Sequence, residues 1–556
     1  MSRLVLLFAC SFAACTCKPT GLQKVPPPEP EICNGVDDDF DGYVDEGLGE
    51  LTCSTGSCVV TVPACANGVA GVCVPPVATD EVCNGLDDNC DGQIDEGLSE
   101  TAELCNGADD NCNGEIDEGL AGIAETCNGL DDNCDGQIDE GLLPTLCGVG
   151  ECETMSPTCV DGAPITCEPL PAGTEACNGK DDDCDGTVDE DLLTNTSGDL
   201  RITSNNASSD QVSIGKGERS FGVVWADGRS GNKDQIYFAE LTSSGARPAS
   251  NTSDRRVSNT TGASRHPAMA WNGAGWGLLY ADDEPNNVEI YFQKLNPNGT
   301  TAGSKMRLTN ATGTSDWPDV VWTGSNFGVA YQDSRGSTGK DIYFQRIDSN
   351  GNVIGTELPV ITAASDQSSP ILKWNGTSFA IAFTSYESGA PQVKFQLLNA
   401  DGTVQGNTVT VAAGVWPDLA WNDVDHQWAM VWHAGAVGNA EVFFTRLAED
   451  GTALGTPVQI TNAAGDSAYP SIDWNGFQYG LSWQDARSGN AAIYFTQVSA
   501  QGVENGNELL LSHGSGVSDY TTALWNGSTF AFCWRDSRDA PSGNTEIYFA
   551  TVGCAP

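Results

Sequence analysis

Oxygen-bearing side chains recur at one fixed spacing in the first third of this 556-residue chain. Five segments begin at Cys33, Cys83, Cys105, Cys127 and Cys177, and residues 83–97 and 127–141 are both CNGLDDNCDGQIDEG. Each contains D-x-[DN]-x-[DN]-G-x-[IV]-D-E. Oxygens at positions 1, 3 and 5 followed by a glycine for a sharp turn are the opening of a calcium loop. The spacing predicts ligands at Asp37, Asp39, Asp41, Asp45 and Glu46 in the first repeat, and at Asp87, Asn89, Asp91, Asp95 and Glu96 in the second. The third offers Asp109, Asn111, Asn113, Asp117 and Glu118, and the fourth Asp131, Asn133, Asp135, Asp139 and Glu140. The fifth offers Asp181, Asp183, Asp185, Asp189 and Glu190. A backbone carbonyl, that of Gln93 in the second repeat, adds a further ligand.

Charge arithmetic asks for a cation. The formal net charge is −51, and residues 29–191 hold 41 acids against one base, Lys180. Two carboxylates about 4 Å apart repel by roughly 4 kcal/mol at an effective dielectric of 20. Carboxylate, amide and carbonyl oxygens suit Ca²⁺, whereas zinc and copper prefer imidazole or thiolate. All four histidines (His266, His426, His433, His513) lie outside this region. A polyanion of this strength excludes nucleic acid as a partner.

Position 12 of an EF-hand is a bidentate glutamate, but Leu98 stands there in the second repeat. The segments resemble thrombospondin type 3 calcium repeats and, more closely, the MopE-type metal-binding repeat, which shares the leading CNG and trailing DEG. That family's name implies copper; the ligand types in this sequence point to Ca²⁺. A rigid spacer is favoured over a calcium sensor, because nothing resembles a bistable helix pair.

Cys83 and Cys90 flank the first half of a curled loop, a spacing that suits a disulfide. Cys105 with Cys112, Cys127 with Cys134, and Cys177 with Cys184 repeat it. Phe40 replaces the second cysteine of the first repeat and leaves Cys33 without that partner; Cys17 is the candidate. Two inserts, within 51–76 and 145–170, share C-x4-C-x6-C-x7-C and read as small disulfide knots.

The chain opens MSRLVLLFACSFAACTCKP. A short positive region, an apolar run too short to span a bilayer and small residues before Cys15 resemble a bacterial lipoprotein signal. Residues 1–14 are then the signal, Cys15 the lipidated residue and 15–31 a Pro-rich tether. An ordinary secretory signal is the alternative. Either sends the chain to the cell envelope or beyond, outward-facing, where disulfides persist.

From residue 199 the period changes. QIYFAEL, EIYFQKL, DIYFQRI, QVKFQLL, EVFFTRL, AIYFTQV and EIYFATV lie about fifty residues apart. Short β-rich runs punctuated by Asn-Gly turns read as successive hairpins, and seven copies predict an all-β, seven-bladed propeller over 199–556. Only six outer strands lie between copies, so LRITS (200–204) is expected beside EIYFATV to close the ring. The innermost strands start at His266, Trp317, Ser369, Trp416, Tyr469 and Tyr520. His266, Trp317, Trp416, Tyr469 and Tyr520 are candidate ligand-binding residues at the channel mouth, where aromatic faces suit sugars or a partner's side chains. Each ring packing on its proline and the next blade is the alternative. D-x-R pairs at Asp227/Arg229, Asp333/Arg335, Asp485/Arg487 and Asp536/Arg538 read as corner ion pairs between blades, and Cys533 with Cys554 as a C-terminal disulfide.

No Ser-His-Asp set and no G-x-S-x-G motif was found. The expected function is a non-enzymatic surface lipoprotein whose calcium-stabilised stalk carries a propeller for a glycan or surface-protein ligand. The membrane is engaged through the lipid anchor only. The alternative is a polysaccharide hydrolase or lyase using Asp210, Asp316 and Asp519.

Overall fold

In the computed structural model the described residues are 30–554, apart from Phe40, 99–101, Cys177, Gly179, Thr187, Glu190, Asp191, Asn232, Pro285, 337–338, Ser388 and 540–543. Cys15, Cys17, Cys177 and Glu190 therefore lie outside them. The chain forms two compact units: residues up to Leu146 with Met155–Glu168, and Cys147–Thr154 with everything from Pro169 onward. The division falls inside the second insert, so the fifth repeat groups with the propeller. No helix of the described residues is long and apolar enough to cross a membrane.

The first unit has little regular structure beyond short hairpins such as Glu50–Thr55 against Cys58–Pro63. Disulfides stand in for a core. The bonds are Cys33–Cys65, Cys53–Cys73, Cys58–Cys90, Cys83–Cys112, Cys105–Cys134 and Cys127–Cys159, and Cys152–Cys184 continues them in the second unit. The expected pairing within each repeat is thus corrected. Cys90, Cys112, Cys134 and Cys184 sit in the left-handed region, with φ of 63°, 60°, 60° and 65°. That twist turns each sulfur away from its own loop and toward the preceding segment. Cys33 takes Cys65, not Cys17. The inserts are not closed knots either: in the first, Cys53–Cys73 is internal, while Cys58 and Cys65 reach out to the second and first repeats. Closing loops of this length contributes roughly 3–4 kcal/mol per bridge in the chain-entropy model.

The second unit carries the seven-bladed propeller. Six blades are four-stranded antiparallel sheets in chain order, the first being Ser209–Lys216, Ser220–Asp227, Gln235–Thr242 and Arg255–Arg256. The seventh combines Ser518–Trp525, Phe530–Asp536 and Glu546–Cys554 with Leu200–Arg201 from the other end of the propeller. Leu200 pairs with Phe549 and Arg201 with Tyr548, as the strand count predicts. Leu193–Asn195 extends the same edge.

Apolar cores lie between adjacent blades, and the last joins blade 7 to blade 1 through Phe549, Ile547 and Phe221. The glycine after the first aromatic of several second strands has a packing reason. A Cβ on Gly222, Gly328 or Gly480 would meet Trp276, Phe379 or Phe530 of the next blade at 2.9, 2.4 and 2.5 Å. Cys533 is buried and free, which corrects the expected bond to Cys554; Cys554 is itself disulfide-bonded.

The closure has a chemical clasp. Glu546 is buried and accepts from Arg201 Nη2 at 2.9 Å, Asn205 N at 3.0 Å and the Thr203 hydroxyl. Removing a carboxylate that satisfies buried donors is costly. Glu546→Ala should lower the stability of the propeller by about 3 kcal/mol, measured as a lower urea midpoint with an unchanged slope. Peptide mapping without reduction should return Cys83–Cys112 and Cys105–Cys134, and no Cys83–Cys90 fragment.

Candidate functional site

Each acidic loop coils about its own carboxylates. In the first repeat Asp37 accepts from Asp41 N at 3.1 Å and Gly42 N at 3.0 Å, Asp39 from Asp41 N at 3.0 Å, and Asp41 from Tyr43 N at 2.9 Å. These turns bring oxygens of Asp37, Asp39 and Asp41 within 4.8 Å of one another, and those of Glu31, Asp39 and Glu46 likewise. Oδ1 of Asp87, Asn89 and Asp91 accepts in the same pattern in the second repeat.

The last glutamate of the motif closes the cluster. Glu46, Glu96, Glu118 and Glu140 each bury an Oε2 that has no hydrogen-bond partner. In the second, third and fourth repeats the companion Oε1 accepts from the amides of Asn89, Asn111 with Asn113, and Asn133. Four equivalent orphaned carboxylate oxygens facing amide and carboxylate oxygens are a donor set that a hard cation fits. Against the lowering pull of a backbone hydrogen bond, partial burial and the charges of Asp41, Glu31 and Asp39 push the Glu46 carboxyl above its ordinary value. In the third repeat, hydrogen bonds led by that of Asn111 hold Glu118 below its ordinary value.

The penultimate aspartate has a different place. Asp45 accepts from Asn34 N at 2.8 Å and Gly35 N at 3.0 Å, and Asp95, Asp117 and Asp139 cap the same turn in their repeats. Asp189 accepts from Asn178 N at 2.9 Å. These carboxylates hold the CNG turn.

A glutamate that the sequence reading passed over also organises each loop. Glu31, Glu81, Glu103, Glu125 and Glu175 stand two residues before the CNG cysteine. Glu31 accepts from Asp38 N, Asp39 N and Asp45 N at 2.9, 3.0 and 2.8 Å, tying the ends of the loop together. Glu103 and Glu125 do the same from buried positions. The E-x-C-N-G spacing was the available signal.

The family comparison agrees with this geometry. Segments 23–46, 73–96, 99–118, 121–140 and 170–190 match the MopE family described as "Putative metal-binding motif". Five MopE-type repeats precede a seven-bladed propeller. Every matched segment ends on the motif's closing glutamate and includes the one before CNG. No curated protein matches the chain. Among solved structures, the subtype N10 neuraminidase-like protein of A/little yellow-shouldered bat/Guatemala/060/2010 is 10% identical, with 65% of this chain and 98% of that chain covered and a TM-score of 0.38. The subtype N11 neuraminidase-like protein of A/flat-faced bat/Peru/033/2010 is 12% identical, with 66% and 97% covered and a TM-score of 0.39. Likenesses this distant carry no argument about function.

Near the start of the first strand of each blade one residue adopts a left-handed conformation: Gln211, His266, Trp317, Ser369, Trp416, Tyr469 and Tyr520, with φ between 48° and 55°. Each sits in a β-bulge of the innermost strand. Such backbone costs about 1 kcal/mol or more per non-glycine residue and persists where the surroundings impose it. Here it brings the five candidate side chains together. His266 stacks on Trp317 at 4.0 Å, Trp317 meets Trp416 at 5.0 Å, Trp416 meets Tyr469 at 5.3 Å, and Tyr469 meets Tyr520 at 4.7 Å. Ser369 of blade 4 is small, so Trp317 and Trp416 touch across it. Arg535 lies over Tyr520 at 4.5 Å.

The acids beside this arc are engaged. Arg535 Nη1 donates to both oxygens of Asp210 at 2.9 Å, and its Nη2 donates to Asp519 at 2.8 Å. Asp316 lies 2.7 Å from His266 Nδ1. His433 accepts from Tyr469 N at 3.2 Å, and burial lowers its pKa to about 4, so it stays neutral. The D-x-R pairs close corners within a blade, correcting the expected link between blades. Arg229 bonds Asp227 and Asp254 of its own blade and lies 4.6 Å from the centre of the Tyr237 ring.

Beyond the arc, Asp319 accepts from Val320 N and from Leu372 N of the next blade, at 2.8 and 2.7 Å. Asp418 and Asp473 make equivalent bridges to Ile472 and Trp525. Lys373 is a base set among these three acids; burial works against its charge, yet the three carboxylates together hold its pKa above the ordinary value. Burial pushes the Asp319 carboxyl up to about 6. A raised carboxyl stabilises the fold below its unfolded pKa of about 4 and loses that contribution as pH rises through 6. Asp319→Asn should therefore gain stability relative to the native chain between pH 4 and pH 7, by roughly 1–3 kcal/mol, read from paired urea melts at the two pH values.

Proposed function

We propose that the repeats bind Ca²⁺ and that the chain is a non-enzymatic, lipid-anchored envelope protein. Its propeller binds a glycan or a surface protein at the aromatic channel mouth. The orphaned Oε2 of Glu46, Glu96, Glu118 and Glu140 carries the metal reading. Calcium is favoured because the clustered donors are hard oxygens, while the described cysteines of the repeats are in disulfides and offer no thiolate. Bridged cysteines also fit an oxidising compartment, and Cys15 supplies the anchor. The binding role is favoured because Asp210, Asp519 and Asp316 are held by Arg535 and His266 in place of a free acid–base pair.

Calorimetry of the whole chain tests the metal assignment. Each occupied site adds about 2.7 kcal/mol when Ca²⁺ stands 100-fold above its Kd, so excess EDTA should lower the repeat transition by many degrees. Restoration by Cu²⁺ but not Ca²⁺ would overturn the assignment. On a glycan array the propeller should retain ligand without releasing shorter sugars. Trp317→Ala with Trp416→Ala should weaken retention at least tenfold, and product release would replace the binding reading by a hydrolase or lyase.

A further inference from the structure

The fifth loop differs from the others in how it is covered. Asp181, its first ligand position, is only 6% exposed. One of its oxygens accepts from Gly186 N across the loop at 3.1 Å; the other, Oδ1, is buried and has no hydrogen-bond partner. The second insert and the residues just after it lie directly on this loop. Glu151 N donates to Asp181 O at 2.9 Å, Gly173 N donates to Asp182 O at 2.8 Å, and Cys152 is bonded to Cys184. Lys180 adds an exposed ion pair to Glu151 at 3.0 Å.

Gly150 shows how close the cover is. A Cβ there would lie 2.3 Å from Asp181 O and 2.6 Å from the Asp181 Cβ and Cγ. The first insert and the segment after it cover the second loop in a related way, with Ser57 N donating to Cys90 O and Thr79 N to Asp88 O. There, however, the Ser57 hydroxyl donates to Asp87. In the fifth loop no donor among the described residues reaches Asp181 Oδ1. A buried carboxylate oxygen without a partner carries its full desolvation cost, and a cation held by Asp181, Asp183 and Asp185 removes it.

We infer that the second insert is a lid on the fifth loop, making it the most slowly exchanging cation site of the array. This rests on the calcium reading of the repeats. A cation leaving the first, third or fourth loop meets no insert segment over its leading aspartate among the described residues, and in the covered second loop the Ser57 hydroxyl already serves Asp87, so its cation is held less firmly. One leaving the fifth must wait for the 150–152 and 170–173 segments to lift, against a disulfide that keeps them near.

Mixing the Ca²⁺-loaded whole chain with a fluorescent chelator tests the inference. Release should be biphasic, with about one ion per chain in a phase at least tenfold slower than the rest. Asp181→Asn should abolish the slow phase, while Asp131→Asn in the fourth loop should remove one ion from the fast phase only. Gly150→Ala, which changes no ligand, should move the slow ion into the fast phase; if that variant does not fold, Asp181→Asn decides alone. Single-phase release of the bound ions, or a slow phase that survives Asp181→Asn, would overturn the lid and leave the calcium reading standing. A chelator that finds no ion would overturn both.

Discussion

Carboxylates crowded beyond what their own backbone amides can neutralise are the constraint from which the N-terminal architecture follows. Each loop uses N–H groups as far as they reach: Asp37, Asp39 and Asp41 on the turn, Asp45 on the CNG corner and Glu31 across both ends. What remains is the closing glutamate, with one oxygen buried and unpartnered in four successive loops. Amide hydrogen bonds offset part of the repulsion, and Asn in place of Asp at the third position in the second, third and fourth repeats lowers it further. The residue of negative charge still faces inward, so the loop geometry and cation binding belong to one equilibrium.

The disulfides answer a second constraint, the lack of an apolar core. Bridges inside each loop would only have stapled segments already curled by their carboxylates. Bridges between successive loops instead make each unit's position depend on its neighbour, and the span is nearly constant at 29 or 32 residues. The longer span occurs where an insert takes part. The inserts thus take part in the same bonding pattern as the loops.

Much of this was legible in the residues. The repeat count, the clustering of side-chain oxygens from positions 1, 3 and 5, the blade number and the closure by Leu200–Arg201 all follow from spacing, because period is a local property. Disulfide partners were not legible. They go with the left-handed φ of Cys90, Cys112, Cys134 and Cys184, which the spacing does not reveal. The same limit hid the inner-strand bulges. Prolines after His266, Trp317, Ser369, Trp416 and Tyr469 marked the positions, yet not that five rings would meet from different blades. Corner arginines misled for the opposite reason: an adjacent-blade carboxylate was as plausible in sequence as the Asp254 that the fourth strand delivers.

The propeller repeats a scaffold, and its departures from repetition carry the chemistry. Ser209 with Asp227, Ser264 with Asp282, Ser315 with Asp333, Ser467 with Asp485 and Ser518 with Asp536 build the same buried corner in five blades. Blade 4 breaks the rule three times. Gln367 faces Ser385 where five blades set serine against aspartate, Ser369 stands where five blades carry a ring, and Lys373 brings a base among the aspartates. The small side chain lets the tryptophans of blades 3 and 5 meet, while the base offsets part of the charge of Asp319, Asp418 and Asp473, so that these acids can bridge blades by accepting from backbone amides. A ring built by sevenfold copying would have offered neither. The departures of blade 4 thus let the aromatic contacts run on across it and set a base among the bridging aspartates.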